Sequence, residues 1–485
     1  MLLIFYTGRS INIMKVLFAT SESYPYAASG GLGDVAFALP KALKKKNVAC
    51  RVVMPLYSSI SPELRATMQF VKSITVPVAW RNQYCGIFEA KYEGVSFILL
   101  DNEFYFKRDN QYGEFDDAER FAFFARAVLE IIPHIDFTPD VIHCNDWQTA
   151  LTPAYYNFYY YNRPGYENIK TVLTIHNIQY QGRYGLELLE DLVGIPSWAQ
   201  SLVENEGDIN YLKAGIESAN KVTTVSPTYA NELMDPWYSY GLSGILSQRS
   251  WKLSGIVNGI DYDVYNPEKD KCIPVAYNAD SFEKKAENKA ALQQELGLKV
   301  DPDVPIVAMV TRLASHKGVE LVRYIFDELM KQNIQFVILG SGEREYEEFF
   351  YNKAADYGDR MAFVCGFIPP LSHRIYAGSD IFLMPSKQEP CGLSQMIALR
   401  YGTVPVVRKT GGLADTVKDA GESDGVGYTF QTYNAHDMAG ALYRAIGCYH
   451  NADEWKKLCI RGMKTDDSWA KSAGEYLKLY KSLFE

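Results

Sequence analysis

Short apolar runs recur along the first half of this chain, and segments with helical periodicity separate them. Apolar strands that alternate with helices are typical of a parallel sheet covered on both faces. The first half is therefore predicted to be a doubly wound α/β domain. Its predicted strands are Lys15–Thr20, Cys50–Met54, Val95–Leu100, Val141–Cys144, Thr171–Ile175 and Lys221–Val225.

The alternation weakens between Pro267 and Pro305, where a charged run covers Glu283–Glu287. We interpret this stretch as an interdomain connection that carries one helix. The pattern then resumes and predicts a second doubly wound domain. Its predicted strands are Ile306–Val310, Gln335–Leu339, Ala362–Cys365, Ile381–Met384 and Val404–Val407.

Length and composition agree with this division. A chain of 485 residues is too long for one core, and 47% hydrophobic with 22% charged residues is ordinary for a globular protein. The net charge of -9 argues against binding to nucleic acid or to an anionic membrane surface. A local basic pocket for a small anion stays compatible with it.

The N-terminal residues do not predict a membrane segment. The apolar run Leu2–Phe5 is too short to span a bilayer, and Arg9 follows it instead of preceding it, so no signal peptide is expected. The first convincing strand begins beside Met14, so either Met1 or Met14 could be the start.

The eight cysteines are scattered and form no C-x-x-C pair. No zinc ligand set is apparent, and reduced thiols of a cytoplasmic protein explain them best. The cysteines therefore do not predict a zinc site.

The segment Glu389–Leu393 lies between an apolar strand and a helical run that begins at Ser394. Ligands of open α/β sheets bind at the carboxyl ends of strands, where loops and helix N-termini converge. A carboxylate placed there can accept hydrogen bonds from two sugar hydroxyls. The alternative is a surface glutamate in a polar turn, but the whole pentapeptide and its setting favour a binding site.

Two cations, Arg312 and Lys317, follow the strand Ile306–Val310 on one loop. Positive charge held in that position can stabilise a departing diphosphate, an effect worth about 3–4 kcal/mol per donor. Solvated surface charges are the competing interpretation.

The turn Gly30-Gly31-Leu32-Gly33 joins the first strand to a helix. Glycines allow a ligand to approach the backbone, and the helix start offers N–H donors to a phosphate. The turn lacks the G-x-G-x-x-G spacing, so NAD is not favoured. A similar stretch, Thr410–Asp415, occurs in the second half, although chance similarity of G-G turns could explain it.

Other polar and aromatic residues follow strands of the first half. Asp146 could hold an acceptor hydroxyl, Trp147 could stack on a sugar, and His176 lies at the end of a strand. Tyr105 and Tyr112, on a long loop, are further acceptor candidates. The aromatic run Tyr155–Tyr161 is expected to pack in the core.

Taken together, these motifs resemble those of the bacterial glycogen synthase and plant starch synthase family. The resemblance runs from Lys15 to near the C-terminus, in family order and at family-like spacing. The matching segments are Ser29–Val35, Asn145–Trp147, His176-Asn177, Asn258–Asp261, Arg312–Gly318, Glu389–Leu393 and Thr410–Asp415.

The resemblance implies a retaining glucosyltransferase of GT-B architecture, with two Rossmann-like domains facing across a cleft. The expected acceptor-side domain is 14–258, the expected nucleotide-sugar domain is 259–465, and a helix within 466–485 would cross back to the first domain. The expected reaction transfers glucose from ADP-glucose to the non-reducing end of an α-1,4-glucan, without a cofactor or metal.

The resemblance also implies roles for individual residues. The catalytic set would be Glu389, Arg312, Lys317, His176 and Asp146. Acceptor contacts would come from Trp147, Tyr105 and Tyr112. Donor contacts would come from Ser29, Gly30, Gly31, Asp34, Asn177, Phe367, Cys391, Gly392, Leu393, Thr410, Gly411 and Gly412.

The chain departs from the family pattern at several positions. Ala28 stands where the family has Lys, Asn145 replaces the His of H-D-W, and Lys387-Gln388 replace Arg-Phe. A lost charge-assisted hydrogen bond costs about 1.5–3 kcal/mol. Two alternatives follow: a non-catalytic glucan-binding protein, or a glucosyltransferase that uses UDP-glucose. The sequence does not indicate an oligomeric state.

Overall fold

The structure, a computed structural model, describes residues 13–485, so the apolar run Leu2–Phe5 lies outside the described residues. The chain forms two compact units. The first unit comprises the described residues up to Thr224, together with Leu233–Ser254 and Ser472–Glu485. The second unit comprises Val225–Glu232 and Gly255–Lys471.

The first unit is built on a nine-stranded sheet with the order β12-β11-β7-β6-β1-β2-β5-β4-β3. The pairs from β11 to β5 are parallel, and β4 runs antiparallel to both of its neighbours. Strands β8, β10 and β9 form a small separate antiparallel sheet. The strands are β1 (Lys15–Ala19), β2 (Ala49–Pro55), β3 (Gln69–Val78), β4 (Arg81–Tyr92), β5 (Val95–Asp101), β6 (Val141–Asn145), β7 (Lys170–Ile175), β8 (Arg183–Gly185), β9 (Glu204–Asn205), β10 (Asp208–Asn210), β11 (Lys221–Thr224) and β12 (Leu253–Gly255).

Strand β1 lies between β2 and β6, so the chain winds away from β1 in both directions. The loops that follow β1 and β6 therefore separate at the carboxyl edge of the sheet, which is where doubly wound folds bind ligands. The buried residues of β1, β6 and β7 alternate little with polar ones because helices cover both faces.

Helices cover this sheet, and short 3₁₀ or π turns lie at Ile132–His134, Tyr156–Tyr160, Leu189–Val193, Ser197–Leu202 and Ser250–Lys252. Tyr155, Tyr156 and Tyr160 are buried, which confirms the core-packing prediction for these three rings. The helices are α1 (Gly31–Lys44), α2 (Pro62–Arg65), α3 (Glu103–Phe106), α4 (Asp117–Glu130), α5 (Leu151–Tyr155), α6 (Tyr211–Ser218), α7 (Pro227–Glu232), α8 (Pro236–Ser239) and α9 (Ser243–Gln248).

Helix α7 is part of the second unit, although the sequence places it inside the predicted first domain. Thr228 donates hydrogen bonds from its amide and its hydroxyl to Asp415, at 2.9 and 2.6 Å. In return, Glu232 accepts from the Thr410 hydroxyl and the Gly411 amide, at 2.8 and 3.0 Å. These paired contacts explain why a short segment from the middle of the chain packs with the second unit.

The second unit contains a six-stranded sheet with the order β15-β14-β13-β16-β17-β18, and all its pairs are parallel. The chain winds outward from β13 through β14 and β15, then returns to β16 on the other side. The loops after β13 and β16 therefore lie at the switch point of this sheet. The strands are β13 (Ile306–Val310), β14 (Gln335–Gly340), β15 (Met361–Cys365), β16 (Ile381–Met384), β17 (Val404–Arg408) and β18 (Tyr428–Phe430).

The helices of this unit pack a single large cluster of buried side chains against the sheet, including Val322, Phe326, Ile338 and Leu442. Short 3₁₀ turns lie at Ala279–Lys284, Ser315–Lys317 and Gly358–Arg360. The helices of this part of the chain are α10 (Lys285–Glu295), α11 (Val319–Leu329), α12 (Arg344–Tyr357), α13 (Pro369–Gly378), α14 (Ser394–Arg400), α15 (Gly411–Thr416), α16 (Ala435–Tyr449), α17 (Ala452–Met463) and α18 (Trp469–Lys481), the last of which lies mostly in the first unit.

Among the described residues, no helix has both the length and the apolar character that a bilayer-spanning segment requires.

The C-terminal helix α18 belongs to the first unit from Ser472 onward. The hydroxyl of Tyr480 lies 2.7 Å from Nδ1 of His143, a wholly buried residue of β6. Nε2 of the same ring lies 2.6 Å from the hydroxyl of Thr174 on β7. The helix is therefore attached to the sheet through a buried histidine whose two nitrogens both have partners.

We predict that Tyr480→Phe destabilises the first unit by about 1–3 kcal/mol, because Nδ1 of His143 is left buried without a partner. Urea unfolding followed by tryptophan fluorescence measures the change as a lower transition midpoint. Tyr161→Phe, which removes an exposed hydroxyl, is the matched control. Equal midpoints for Tyr480→Phe and wild type would contradict the prediction.

Candidate active site

The loop after β13 and the loop after β16 are joined by an ion pair in the second unit. Nζ of Lys317 lies 2.7 Å from Oε2 of Glu389, and the hydroxyl of Ser386 donates to the same oxygen at 3.0 Å. The Glu389 side chain is only 8% exposed, whereas Lys317 is 25% exposed. The acid and the cation that the sequence predicted to share a site do lie together.

His316 and Arg312 extend this cluster. Burial lowers the pKa of His316, and the neighbouring charges of Lys317 and Arg312 lower it further. Glu389 and Glu343 act in the opposite direction on the same ring. His316 is therefore uncharged at neutral pH, and the positive charge of the loop rests on Lys317 and Arg312.

Main-chain contacts hold the two loops in register. The amide of Lys387 donates to the carbonyl of His316 at 2.9 Å. Gly318 has φ +74°, and a Cβ at this position would lie 2.0 Å from the carbonyl oxygen of Pro385. Only glycine allows both the left-handed conformation and this close approach.

A further cation, which the sequence analysis did not single out, lies beside the loop after β16. Nη1 of Arg408, at the end of β17, donates to the carbonyl of Lys387 at 2.6 Å. Arg408 and Lys387 both lie against the Tyr433 ring, at 5.7 and 5.9 Å from its centroid. The signal available in the sequence was a cation at the carboxyl end of a parallel strand.

The buried side chain of Gln395 orients the turn Cys391–Leu393. Its Nε2 donates to the carbonyls of Cys391 and Gly392, at 3.1 and 3.0 Å. Because a trans peptide places N–H opposite C=O, the amides of Gly392 and Leu393 are directed away from Gln395. These are N–H groups that an anion could use at the start of α14.

The predicted donor contacts of Thr410, Gly411 and Gly412 are corrected by the structure. Thr410 and Gly411 donate to Glu232, while the amide of Gly412 donates to the carbonyl of Glu389 at 3.1 Å. A Cβ on Gly411 or Gly412 would lie about 2 Å from the carbonyl oxygen of Glu389 or Cys391. These residues pack against the Glu389 turn, and the polar groups named here form hydrogen bonds within the protein.

Phe367 is 88% exposed and follows Gly366 at the end of β15. An exposed ring at the carboxyl edge of a parallel sheet is a suitable stacking surface for a base.

In the first unit, the turn after β1 is organised by Glu22, a buried residue that the sequence analysis missed. Its Oε2 accepts from the amide and the hydroxyl of Ser29, at 2.8 and 2.5 Å, and its Oε1 accepts from the Gly33 amide at 3.0 Å. The start of α1 is therefore capped by the protein's own carboxylate. The amides of Ser29 and Gly33, which the sequence analysis expected to be available to a phosphate, are therefore used within the protein.

Glycines 30 and 31 differ from glycine 33 in their surroundings. A Cβ on Gly30 or Gly31 would meet nothing within 4 Å, whereas a Cβ on Gly33 would lie 2.5 Å from the Cβ of Ala28. Gly30 and Gly31 are exposed, and packing does not require glycine there. Open space beside an exposed main chain is what a ligand needs for close approach. Asp34 follows in the first turn of α1 and is also exposed.

Asp146 lies after β6 with φ +55°, a left-handed conformation that Asp and Asn tolerate better than most residues. Its Oδ1 accepts from the amides of His176 and Asn177, at 2.7 and 3.5 Å. Burial raises the pKa of Asp146 to about 7; the two amides oppose this shift, and the charge of Glu22 adds to it. Asp146 and His176, predicted from separate strands, do lie side by side.

His176 is held by Asn145, because Nε2 of the ring lies 2.9 Å from Oδ1 of the amide. Burial lowers the pKa of His176 to about 3, so the ring is neutral at physiological pH.

Two of the three predicted acceptor residues are not available to a glucan. Tyr105 has no exposed surface, and its hydroxyl donates to Glu119 at 2.6 Å, so it cannot contact a glucan as expected. Trp147 is 8% exposed, and its indole packs against Phe121 and the main chain of Gly182, so the expected sugar stacking is corrected as well. Tyr112 is only partly buried, and its hydroxyl is 2.8 Å from that of Ser21, beside the turn after β1.

The structure also groups Asp270, Cys272 and His373, whose candidate ligand atoms lie within 4.8 Å of one another. Asp270 Oδ2 accepts from His373 Nδ1 at 2.7 Å and from the Tyr401 hydroxyl at 2.5 Å, and Oδ1 accepts from the Cys272 amide at 2.8 Å. Both carboxylate oxygens of Asp270 already accept hydrogen bonds. We therefore interpret these residues as a structural network and not as a metal site. The sequence analysis did not find this network, because His373 is far from Asp270 and Cys272 in the chain.

Comparison with known proteins agrees with this geometry. Residues 15–248 match a family model described as the starch synthase catalytic domain, and residues 293–458 match one described as glycosyl transferases group 1. The glycogen synthase of Bacillus anthracis is 50% identical over 97% of this chain and 100% of its own length. That of Clostridium novyi is 49% identical over 97% and 99%.

Two solved structures are also similar. The catalytic domain of starch synthase IV from Arabidopsis thaliana, bound to ADP and acarbose, has a TM-score of 0.89 with 34% identity, over 97% of this chain and 99% of that one. Sucrose-phosphate synthase from Thermosynechococcus elongatus has a TM-score of 0.61 with 17% identity over the same shares, which shows the fold alone. Both predicted Rossmann-like domains are therefore confirmed.

The pKa of Asp146 gives a testable pH dependence. Its pKa is about 7 in the folded protein against 3.8 as the ordinary value, so the folded state holds the proton more tightly. The stabilising contribution is complete below the ordinary pKa and is lost as pH rises through the folded one. We predict that Asp146→Asn, which keeps the left-handed backbone accessible, lowers the dependence of unfolding free energy on pH between about pH 5 and about pH 8.

Denaturant unfolding of both proteins at the two pH values measures this difference. Asp208→Asn, a change of an exposed pair partner of Arg183 in the same unit, is the control. Identical pH dependence in Asp146→Asn and wild type would contradict the assigned shift.

Proposed function

Because the chain belongs to the glycogen synthase and starch synthase family, we propose that it transfers glucose from ADP-glucose to the non-reducing end of an α-1,4-glucan, with retention of configuration. About half of its residues are identical to those of bacterial glycogen synthases over nearly the whole length. The similar Arabidopsis domain was solved bound to ADP and acarbose.

The observation that carries the proposal is the Lys317–Glu389 pair at the switch point of the second sheet. Lys317 and Arg312 supply fixed positive charge where a diphosphate leaves, and such charge is most effective when it is placed before the reaction. Among the described residues, the two side-chain hydrogen bonds of Glu389, from Lys317 and Ser386, both fall on Oε2. Oε1 is left to accept a hydrogen bond from a glucose hydroxyl.

Other residues would complete the donor site. In the second unit, the amides of Gly392 and Leu393 would donate to the diphosphate, and Phe367 would offer a face to the base. In the first unit, Gly30 and Gly31 would leave room for a sugar phosphate. Because protein cations face the diphosphate, we expect no metal requirement. Activity that is unchanged by a chelator would agree with this expectation.

Asp146 and His176 would contact the sugar on the first unit. Tyr112 is the remaining acceptor candidate, since Tyr105 and Trp147 are packed inside.

All eight cysteines are free thiols, which suits a reducing compartment, and we propose a cytoplasmic protein. The net charge of -9 favours neither nucleic acid nor an anionic membrane as a partner.

We predict that Glu389→Gln and Lys317→Met each lower kcat/KM by about 10²–10³-fold, because each removes a charge that acts at the reacting centre. ADP release from ADP-glucose in the presence of glycogen is the measurement. Lys353→Met, which breaks an ion pair with Asp327 in the same unit, is the matched control and should retain activity. Wild-type protein without turnover on either ADP-glucose or UDP-glucose would refute the proposed function.

The position of Ala28 allows a gain of function to be tested. Ala28 is exposed beside the Gly30-Gly31 turn, where the family has Lys. We predict that Ala28→Lys lowers KM for ADP-glucose by about ten- to hundredfold, the equivalent of one charge-assisted hydrogen bond. Ala286→Lys, an exposed change on α10, adds the same charge elsewhere and should leave KM unchanged. An equal KM in Ala28→Lys and wild type would show that the chain handles its donor without this cation.

A further inference from the structure

Asn145 is the last residue of β6 and is completely buried, and its side-chain amide has three neighbours. Nδ2 faces the carbonyl oxygens of Ala19 and His143, at 3.0 and 3.4 Å. Oδ1 lies 2.9 Å from Nε2 of His176. Rotating the amide by 180° would place an oxygen against two carbonyl oxygens, so the surroundings fix its orientation.

An amide oxygen can only accept a hydrogen bond. Nε2 of His176 must therefore carry the proton, and in the neutral ring Nδ1 then carries the lone pair. Desolvation lowers the pKa of His176 to about 3, so the ring is neutral at physiological pH. The main-chain amide of His176 is fixed at the same time by Asp146, which restricts the position of the ring.

We infer that Asn145 is a positioning residue, which fixes His176 as the Nε2–H tautomer and so makes its Nδ1 an acceptor for a hydroxyl group of the transferred glucose. The inference deepens the proposed function and rests on it for the identity of the sugar. The tautomer itself depends only on contacts within the first unit.

The residue type at position 145 decides which tautomers of His176 are possible. A histidine there, as in the family motif, could either donate to His176 or accept from it, so it would not by itself select one tautomer. An asparagine whose amide nitrogen donates to two carbonyl groups selects the Nε2–H tautomer. Asparagine at position 145 therefore leaves the His176 ring a single tautomer.

Titratable groups surround this ring on several elements. Asp146 lies beside it after β6, and His143 on β6 interacts with it electrostatically. Glu22, after β1, acts on Asp146. Any pH-dependent test must therefore separate His176 from Asp146.

The direct test reads the tautomer in the wild-type protein. Long-range ¹H–¹⁵N correlation of protein labelled with ¹⁵N-histidine distinguishes Nε2–H from Nδ1–H, and the His176 signals are those that disappear in His176→Gln. We expect a single neutral Nε2–H pattern at neutral pH. An Nδ1–H pattern, or averaging between the two tautomers, would overturn the inference whether or not the protein has synthase activity.

A second test uses Asn145→Asp, which keeps an acceptor but adds a charge that favours the imidazolium form. The acid limb of kcat/KM should then move upward by about one pH unit or more, because protonation removes the Nδ1 acceptor. The shift should persist in an Asp146→Asn background, which excludes Asp146 as its source. Asn157→Asp, an exposed change after α5, is the control for added charge.

A merely structural role for Asn145 would lower kcat without moving the acid limb, and that result would overturn the inference. If Asn145→Asp does not fold, the tautomer measured in the wild-type protein decides.

Discussion

The ion pair between Lys317 and Glu389 depends on main-chain contacts that bring two distant loops together. A carboxylate that is 8% exposed interacts with its partner more strongly than it would in water, but removing the charges from water is costly. The pair is therefore stable only where its geometry is imposed. The Lys387–His316 main-chain bond and the close approach of Gly318 to Pro385 impose it. The parallel order of β13, β16 and β17 brings the loops to the same edge.

Carboxylates of the protein itself occupy the starts of two helices. Glu22 caps α1 and Glu232 caps α15, and each accepts from a hydroxyl residue and an amide of a Gly-rich turn. A negative group at a helix start is favourable because unpaired N–H groups and the helix dipole converge there. The two turns nevertheless need glycine for different reasons. Gly411 and Gly412 are buried under the Glu389 turn, whereas Gly30 and Gly31 are exposed beside open space.

Apolar runs were sufficient to predict the parallel strands of both units, because buried parallel strands carry few polar residues. The β3–β4 hairpin was not predicted, since much of β3 is exposed and has no apolar run. Helix α7 was assigned to the wrong unit because the contacts that decide it, with Thr410 and Asp415, are far away in the chain.

The positions of strand ends in the sequence predicted which charged residues share the candidate site. The sequence did not predict which aromatic residues are exposed. Because β13 and β16 are neighbours, as are β6 and β7, strand ends were sufficient to predict that Glu389 lies near Lys317 and Asp146 near His176. Whether an aromatic ring is available depends on remote neighbours such as Glu119 for Tyr105 and Gly182 for Trp147. Single acids such as Glu22 carry no periodic signal, so their role as helix caps emerges only from the structure.

The departures from the family pattern have different physical consequences. Lys387 contacts His316 through its main-chain amide, so this contact does not depend on the side chain. Asn145 retains a side-chain bond to His176 and adds two bonds of its own. Ala28 instead removes a cation, and its Cβ occupies the space that a side chain on Gly33 would need. Positions 387 and 145 are thus connected to His316 and His176 by a main-chain and a side-chain hydrogen bond of this chain, whereas Ala28 supplies no charge, so the positive charge of the site comes from other residues.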